Sequence, residues 1–469
     1  MLPSRSRVPR PAWVLSMWLL FAALLGAAAA GSCARDEGAD KAIELEFWTL
    51  ALRPFEPYLR ERVAAFEALH PGVKVRWVDV PFGAADRKLI AAAAAGRAPD
   101  VINMSDMTFA RFGAQRAFVD MGPLLEATGK RAADQYLAGA LRLGEMNGQL
   151  LALPWYLTTQ AVLANTTLLK AGGIDPERLP TDWATLRAMA PAFRKKTGAF
   201  LATAPLGHES DLPMMLLSDG LVAFEPRGDG SGRLRAKLNQ PAIVKVIGEW
   251  VELYRAGAVP SEAATAGVSH LTELYQNGRV AIINSGPNFL KRIKDVAPGI
   301  FEATVVRPPI TGTLGRAHIA VMVLAVTRQS KHPQLAAELA WFMTSPESQE
   351  KLCELAVILP STRASLGREL FAPPPLPEGG RGYEGDAKVS FARSETARAL
   401  LEATAFTPAL AEWPDMRRVF EEQIKRVLLD EADVEKSLVQ IEGEWNRILD
   451  ASAGGGTMDA IPTPGPVVR

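Results

Sequence analysis

The side chains best equipped for chemistry are few and scattered. The chain has 469 residues but only five histidines and two cysteines, so a metal centre or a thiol enzyme has little to draw on. It contains no G-x-S-x-G, no H-E-x-x-H, no Walker A motif and no helix-opening G-x-G-x-x-G. The run Gly228-Asp229-Gly230-Ser231-Gly232 sits in a polar stretch, not between a strand and a helix, and reads as a turn. What remains is recognition chemistry. Ten tryptophans stand beside six tyrosines, and aromatic faces next to side chains that fork hydrogen bonds suit hydroxylated rings. The carboxylates Asp106 and Glu209 leave open a polyamine site against aromatics, and a paired-carboxylate glycoside hydrolase also stays open because spacing in space is invisible in sequence. A sugar phosphate calls for a basic cleft, for which Arg53 is the candidate.

Composition narrows the classes. Lys plus Arg and Asp plus Glu are equal at 52 each, so no net field favours a nucleic acid or an acidic surface. A hydrophobic share of 48% over this length is that of a globular protein of two ordinary domains. Arg5, Arg7 and Arg10 precede the uncharged apolar run Ala12 to Ala30, and Ala30-Gly31-Ser32-Cys33 follows. A basic start, an apolar stretch and small residues before a cut site describe an export signal over residues 1–32. The cysteine after them resembles the lipobox of bacterial lipoproteins, with Ala30 where leucine is usual. The resemblance implies that Cys33 takes a diacylglycerol and anchors the mature chain outside the cytoplasm, with residues 33–42 as tether. The competing reading is an uncleaved signal anchor, since the apolar run nearly spans a bilayer.

Beyond the tether the pattern alternates. Strands are predicted at Ile43–Trp48, Val73–Val78 and Val101–Asn103, with helices at Tyr58–Leu69 and Arg87–Ala95 between them. This rhythm is that of a parallel sheet with crossover helices. It breaks at Leu153-Pro154-Trp155-Tyr156. Further strands are read at Gln160–Asn165, Phe200–Ala204, Val280–Asn284 and His318–Val326, and two long helices at Asp415–Asp430 and Val434–Asp450. Phe371–Tyr383 reads as a Pro- and Gly-rich loop, and the chain from Gly454 as a disordered tail.

Six segments in order resemble the family 1 extracellular solute-binding proteins, the group that contains maltose-binding protein. They are Glu46-Phe47-Trp48-Thr49; Phe66 with His70-Pro71-Gly72-Val73-Lys74-Val75; Ala94-Ala95-Gly96-Arg97-Ala98-Pro99-Asp100-Val101; Gly148 to Trp155; Asn277 to Pro287; and Thr344 to Gln349 with Leu359-Pro360. The likeness covers roughly Leu45 to Leu449. It implies an α/β protein of two lobes, the periplasmic-binding-protein fold, crossed three times by the chain near Pro154–Tyr156, Gly312–Arg316 and Leu359–Ser361. Lobe 1 would then comprise 43–154 and 316–359, and lobe 2 155–315 and 360–452, with 453–469 as tail. It also implies a monomer that binds a small solute between the lobes, a carbohydrate before a polyamine, polyol or sugar phosphate. The solute passes to the permease of an ABC importer, without cofactor, metal or catalysis.

On that resemblance the cleft would be lined from several segments, each with a plainer alternative. Trp48 ends the first strand and could equally cover the sheet edge. Ser105 and Asp106 follow the third strand, where Asp106 also suits a helix cap. Trp155 and Tyr156 would line the first crossing. His208 and Glu209 would contribute polar contacts from lobe 2, or form a surface loop. Ser285, Asn288 and Phe289 follow the signature strand, and Asn288 stands where relatives often carry Trp, which argues against a maltodextrin-like ligand. Trp413 begins a closing helix and is a core candidate as much as a contact.

Overall fold

Alternation buries Leu45 and Phe47 in β1 (Ile43–Leu50) and Val73 and Val75 in β2 (Val73–Val80), while β3 (Val101–Ser105) is buried on both faces from Val101 to Met104. Helix α1 (Glu56–Leu69) buries Tyr58, Leu59, Val63 and Phe66 on one face, and α2 (Ala85–Ala94) makes the next crossover. Both β2 and β3 pair parallel to β1. Helix α3 (Asp106–Ala114) follows at once, and β4 (Ala152–Thr159) completes the first passage through this sheet.

This is a computed structural model describing residues 42–81, 84–146, 148–375, 383–408, 410–452 and 461. The export segment 1–32, Cys33 and nearly all of the tether lie outside the described residues. So does the expected tail, except Ile461, which is buried in the core of the second lobe and therefore not part of a free tail.

After β4 a single residue, Gln160, leads into β5 (Ala161–Asn165). A second sheet forms from β5, β6 (Phe200–Ala202), β7 (Val280–Ser285) and β8 (Thr304–Arg307), in the order β8-β5-β7-β6. The chain then returns as β9 (Ile319–Val326) and the short edge strand β10 (Leu359–Pro360), so the first sheet reads β10-β4-β9-β3-β1-β2. Each sheet has its own apolar core, one built on Phe47, Trp155 and Val323, the other on Leu201, Trp250 and Phe420. A further cluster around Tyr275 and Phe301 fills the opposite face of the second sheet.

The crossings differ in part from the expected ones. Trp155 and Tyr156 belong to β4 and to the first core, because β4 pairs with β9 and β10 until Thr159. The passage is at Gln160, so the first lobe keeps residues 155–159. The second passage follows Leu314, which packs on the second core, and is complete at Ile319. Leu359–Ser361 does not cross. The bridge of Thr362 to Tyr136, and Phe371 in the first core, hold the chain in the first lobe. The third connection runs through α8 (Gly385–Leu400); between it and α3 come α4 (Trp183–Thr197), α5 (Leu212–Ser218), α6 (Val268–Gln276) and α7 (Pro287–Val296). In α8, Val389 and Ala392 pack on the second lobe while Ala397 and Leu400 pack on the first. Helices α9 (Trp413–Leu428) and α10 (Val434–Ala451) close the second lobe.

Candidate functional site

The carboxyl ends of parallel strands are where an α/β sheet leaves room for a ligand. In the first lobe these ends are Leu50, Val80 and Ser105, and in the second Ala202 and Ser285. Gln160, the link between the two sheets, lines a pocket with Ser285 and with Thr203, the residue after Ala202. The lobes also touch at one edge of the cleft, where Met107 packs on the second core and Arg417 Nη1 lies 3.9 Å from its sulfur.

The first-lobe side is internally bonded. Asp79 accepts from Thr49 Oγ1 at 2.6 Å and from the N–H groups of Leu52 and Arg53 at 2.9 and 3.1 Å, which fixes the turn after β1. Asn103 accepts from Leu50 N–H and donates to Val323 O. Ser105 caps α3 through Thr108 N–H. Asp106, the first residue of α3, accepts from Met107 N–H at 2.9 Å. It keeps a partly exposed surface, yet protein surrounds its carboxyl, and burial pushes the pKa up to about 6.

The second-lobe side carries a charged cluster and a pocket. Arg417 donates to Glu421 at 2.7 Å and to Ser210 O at 3.4 Å, and His208 Nδ1 lies 3.9 Å from Glu421. Glu209 holds a left-handed backbone, φ 50°, and accepts from Val268 N–H at the start of α6. Asp211, just before α5, makes no side-chain hydrogen bond among the described residues. Burial pushes its carboxyl up to about 7, with Arg417 opposing and Glu209 adding to the shift.

Asp211 also lines a pocket of about 70 Å³ with Gln160, Trp183, Thr203, Met214, Asn284 and Ser285. Thr203 Oγ1 is buried without a partner among the described residues. At the second crossing His318 accepts from Phe406 N–H through Nδ1 at 3.1 Å, and burial pushes its pKa down to about 4. A larger hollow of about 730 Å³ lies elsewhere, lined by Arg363, Phe371, Tyr383 and Leu401. None of the strand-end residues lines it.

The structure sets Ser105 and Asp106 at the end of β3, His208 near Glu421, Glu209 on the start of α6, and Ser285 in the pocket. It places the others differently. Trp48 is buried, its indole N–H bonded to Glu46 and its ring covered by Lys88 Nζ at 4.5 Å. Trp155 is wholly buried between Phe47 and Tyr156. Tyr156 is 8% exposed within the same core. Asn288 is exposed on α7, and Phe289 packs on the Tyr275 cluster. Trp413 packs edge-on to Trp445 in the second core. Arg53 is exposed and outside the pocket. Gln160, Trp183, Thr203, Asp211, Arg417 and His318 escaped the sequence reading. Only Asp211, beside the noted His208-Glu209, had a signal that could have flagged it.

The profile of the bacterial extracellular solute-binding proteins matches residues 53–350. The chain belongs to that family. It is similar to a protein of Synechococcus sp. MITs9220 described as a candidate oligosaccharide periplasmic-binding protein, 31% identical with a TM-score of 0.75 over 86% of this chain and 98% of that one. It is 25% identical to the arabinooligosaccharide-binding protein of Bacillus subtilis over 68% of this chain and 74% of the relative. The sugar-binding protein MalE of Xanthomonas citri shares the fold at 22% identity and a TM-score of 0.70, over 87% of this chain and 97% of that one. Among the described residues no helix is long and apolar enough to cross a membrane, and no cluster of ligating side chains could hold a metal ion.

Proposed function

We propose that the protein is the extracytoplasmic sugar- or oligosaccharide-binding component of an ABC importer. In this reading it holds its ligand between the lobes and presents it to the permease without turnover. The observation that carries the reading is the polar cleft at the strand ends, where Gln160, Asp211 and Ser285 stand beside Trp183. The names of the similar proteins point to the same ligand class. Arg417 beside Asp211 argues against a polyamine, and the exposed Arg53 gives a sugar phosphate no cradle in the pocket.

A thermal-shift screen of the chain from residue 34 against arabino- and malto-oligosaccharides, polyols, sugar phosphates and polyamines tests this. A ligand at a hundred times its Kd adds about 2.7 kcal/mol, enough to raise the Tm by several degrees. Stabilisation by polyamines alone, or by no carbohydrate, overturns the reading.

The lipid anchor rests on Cys33 and the segment before it. Cys33→Ser should move the protein from the membrane to the soluble fraction, since the acyl chains hang on that thiol. A variant that stays with the membrane supports the signal anchor instead.

A further inference from the structure

The pocket between α4 and the ends of β6 and β7 is small, about 70 Å³, which is room for a few water-sized groups and less than a whole sugar ring. Its polar groups are left over from the fold. Thr203, 7% exposed, has a buried hydroxyl with no partner among the described residues. Ser285 is 6% exposed, and its hydroxyl makes no hydrogen bond among the described residues. The amide of Gln160 is oriented by its neighbour. Asn284 Oδ1 accepts from Ile310 N–H at 3.2 Å, which turns Asn284 Nδ2 toward Gln160 Oε1 at 2.6 Å. Gln160 therefore keeps its NH2 group for something else. Asp211 adds an acceptor.

This inventory selects a ligand group. An anion would meet Asp211, and a cation would meet the Gln160 donors with Arg417 close by. A hydroxyl, which both donates and accepts, satisfies every member. Trp183, Met214 and Leu271 supply an apolar wall against which C–H groups can lie. Below the pocket the protein is closed, with Trp183 edge-on to Trp250 in the second core and Leu271 and Ile283 buried in the Tyr275 cluster.

We propose that this pocket is an end subsite, which takes the hydroxyl-bearing edge of one terminal unit of the sugar while the rest of the ligand lies toward Asp106 and Arg417. The assignment rests on the carbohydrate reading above and adds that one end of the ligand is read by Thr203, Ser285, Gln160 and Asp211.

The test uses Thr203→Val and Ser285→Ala with malto- and arabino-oligosaccharides of two, three and four units, by titration calorimetry and thermal unfolding. Each loses a hydroxyl that bonds nothing in the free protein, so the Tm without ligand should not fall. Each should weaken binding about tenfold, and by the same factor at every chain length, because the same terminal unit fills the pocket. Sugar binding that is unchanged in both variants overturns the subsite and leaves the carbohydrate reading standing. A loss that appears only with the longest sugars also overturns it. If no sugar binds the wild-type protein, the subsite and the carbohydrate reading fall together.

Discussion

The two walls of the cleft are built from the same parts and finished differently. On the first lobe the polar groups at the strand ends are consumed by the fold: Asp79 takes three donors, Asn103 ties β1 to β9, and Ser105 caps α3. On the second lobe Thr203 and Asp211 stand without hydrogen-bond partners among the described residues. A buried polar group left unpaired costs roughly 1–3 kcal/mol. Trp155 Nε1 in the first core and Trp250 Nε1 in the second are also unpaired among the described residues, so the missing partner alone marks no site; at Thr203 it coincides with an open pocket that a ligand can enter. The first wall thus holds shape, and the second holds the groups that recognise.

The sharpest way to break this comparison is a large truncation on the first wall. Trp155→Ala should cost about 3–5 kcal/mol of stability, because the indole is wholly enclosed. Denaturant unfolding should show that loss, and sugar affinity measured well below the melting temperature should change little. A stable variant with weakened binding would return Trp155 to the cleft. Asp211→Ala should do the reverse: it removes an acceptor from the second wall, and above its pKa near 7, where the carboxyl is charged, a hydrogen bond to it is worth about 1.5–3 kcal/mol, or roughly ten- to a hundredfold in Kd. Ser105→Ala should cost about 1 kcal/mol of stability through the lost cap, with affinity nearly intact. Equal affinity losses from Ser105→Ala and Asp211→Ala would erase the distinction between the walls.

The remaining test is a pH dependence. Asp211, with a pKa near 7, keeps its proton in the folded chain where an ordinary aspartate, near 3.8, has lost it. Folding therefore takes up a proton between those values, and stability falls as pH rises from about 4 to 7. His318 works in the opposite sense, since its folded pKa near 4 lies below the ordinary 6.5 and stability falls as pH drops through that window. Asp211→Asn removes the first contribution only. Its Tm relative to wild type should therefore climb by a few degrees between pH 4 and 7. A difference that stays constant across that range would place Asp211 in water.

Much of the architecture was legible because period and burial coincide. Leu45 and Phe47 alternate in β1, and the helix at Glu56–Leu69 repeats its apolar face until Gly72, where φ of 86° suits glycine. The first crossing was misplaced because β4 is covered on both faces. Ala152 to Leu157 are all buried, and a strand without alternation gives no sign of where it ends. Helix α8 was missed because Lys388, Arg393 and Glu395 resemble a solvated face and are buried here by both lobes. The pocket was the least legible part. Thr203 and Asp211 lie in a connection between β6 and α5, where no period marks them, and only the folded chain sets them beside Ser285.

Helix α8 has a mechanical consequence. It is shared, with Lys388 bonded to carbonyls of the second lobe at Phe301 and Glu302 and its last turns set into the first lobe at Ala397 and Leu400. A continuous helix resists bending along its length because each bend breaks backbone hydrogen bonds. The single residue Gln160 between β4 and β5 and the stretch before Ile319 can swivel far more cheaply, since their torsions are local. Relative movement of the lobes is thereby steered toward torsion around the rod, with the two thin links acting as flexures beside an axle.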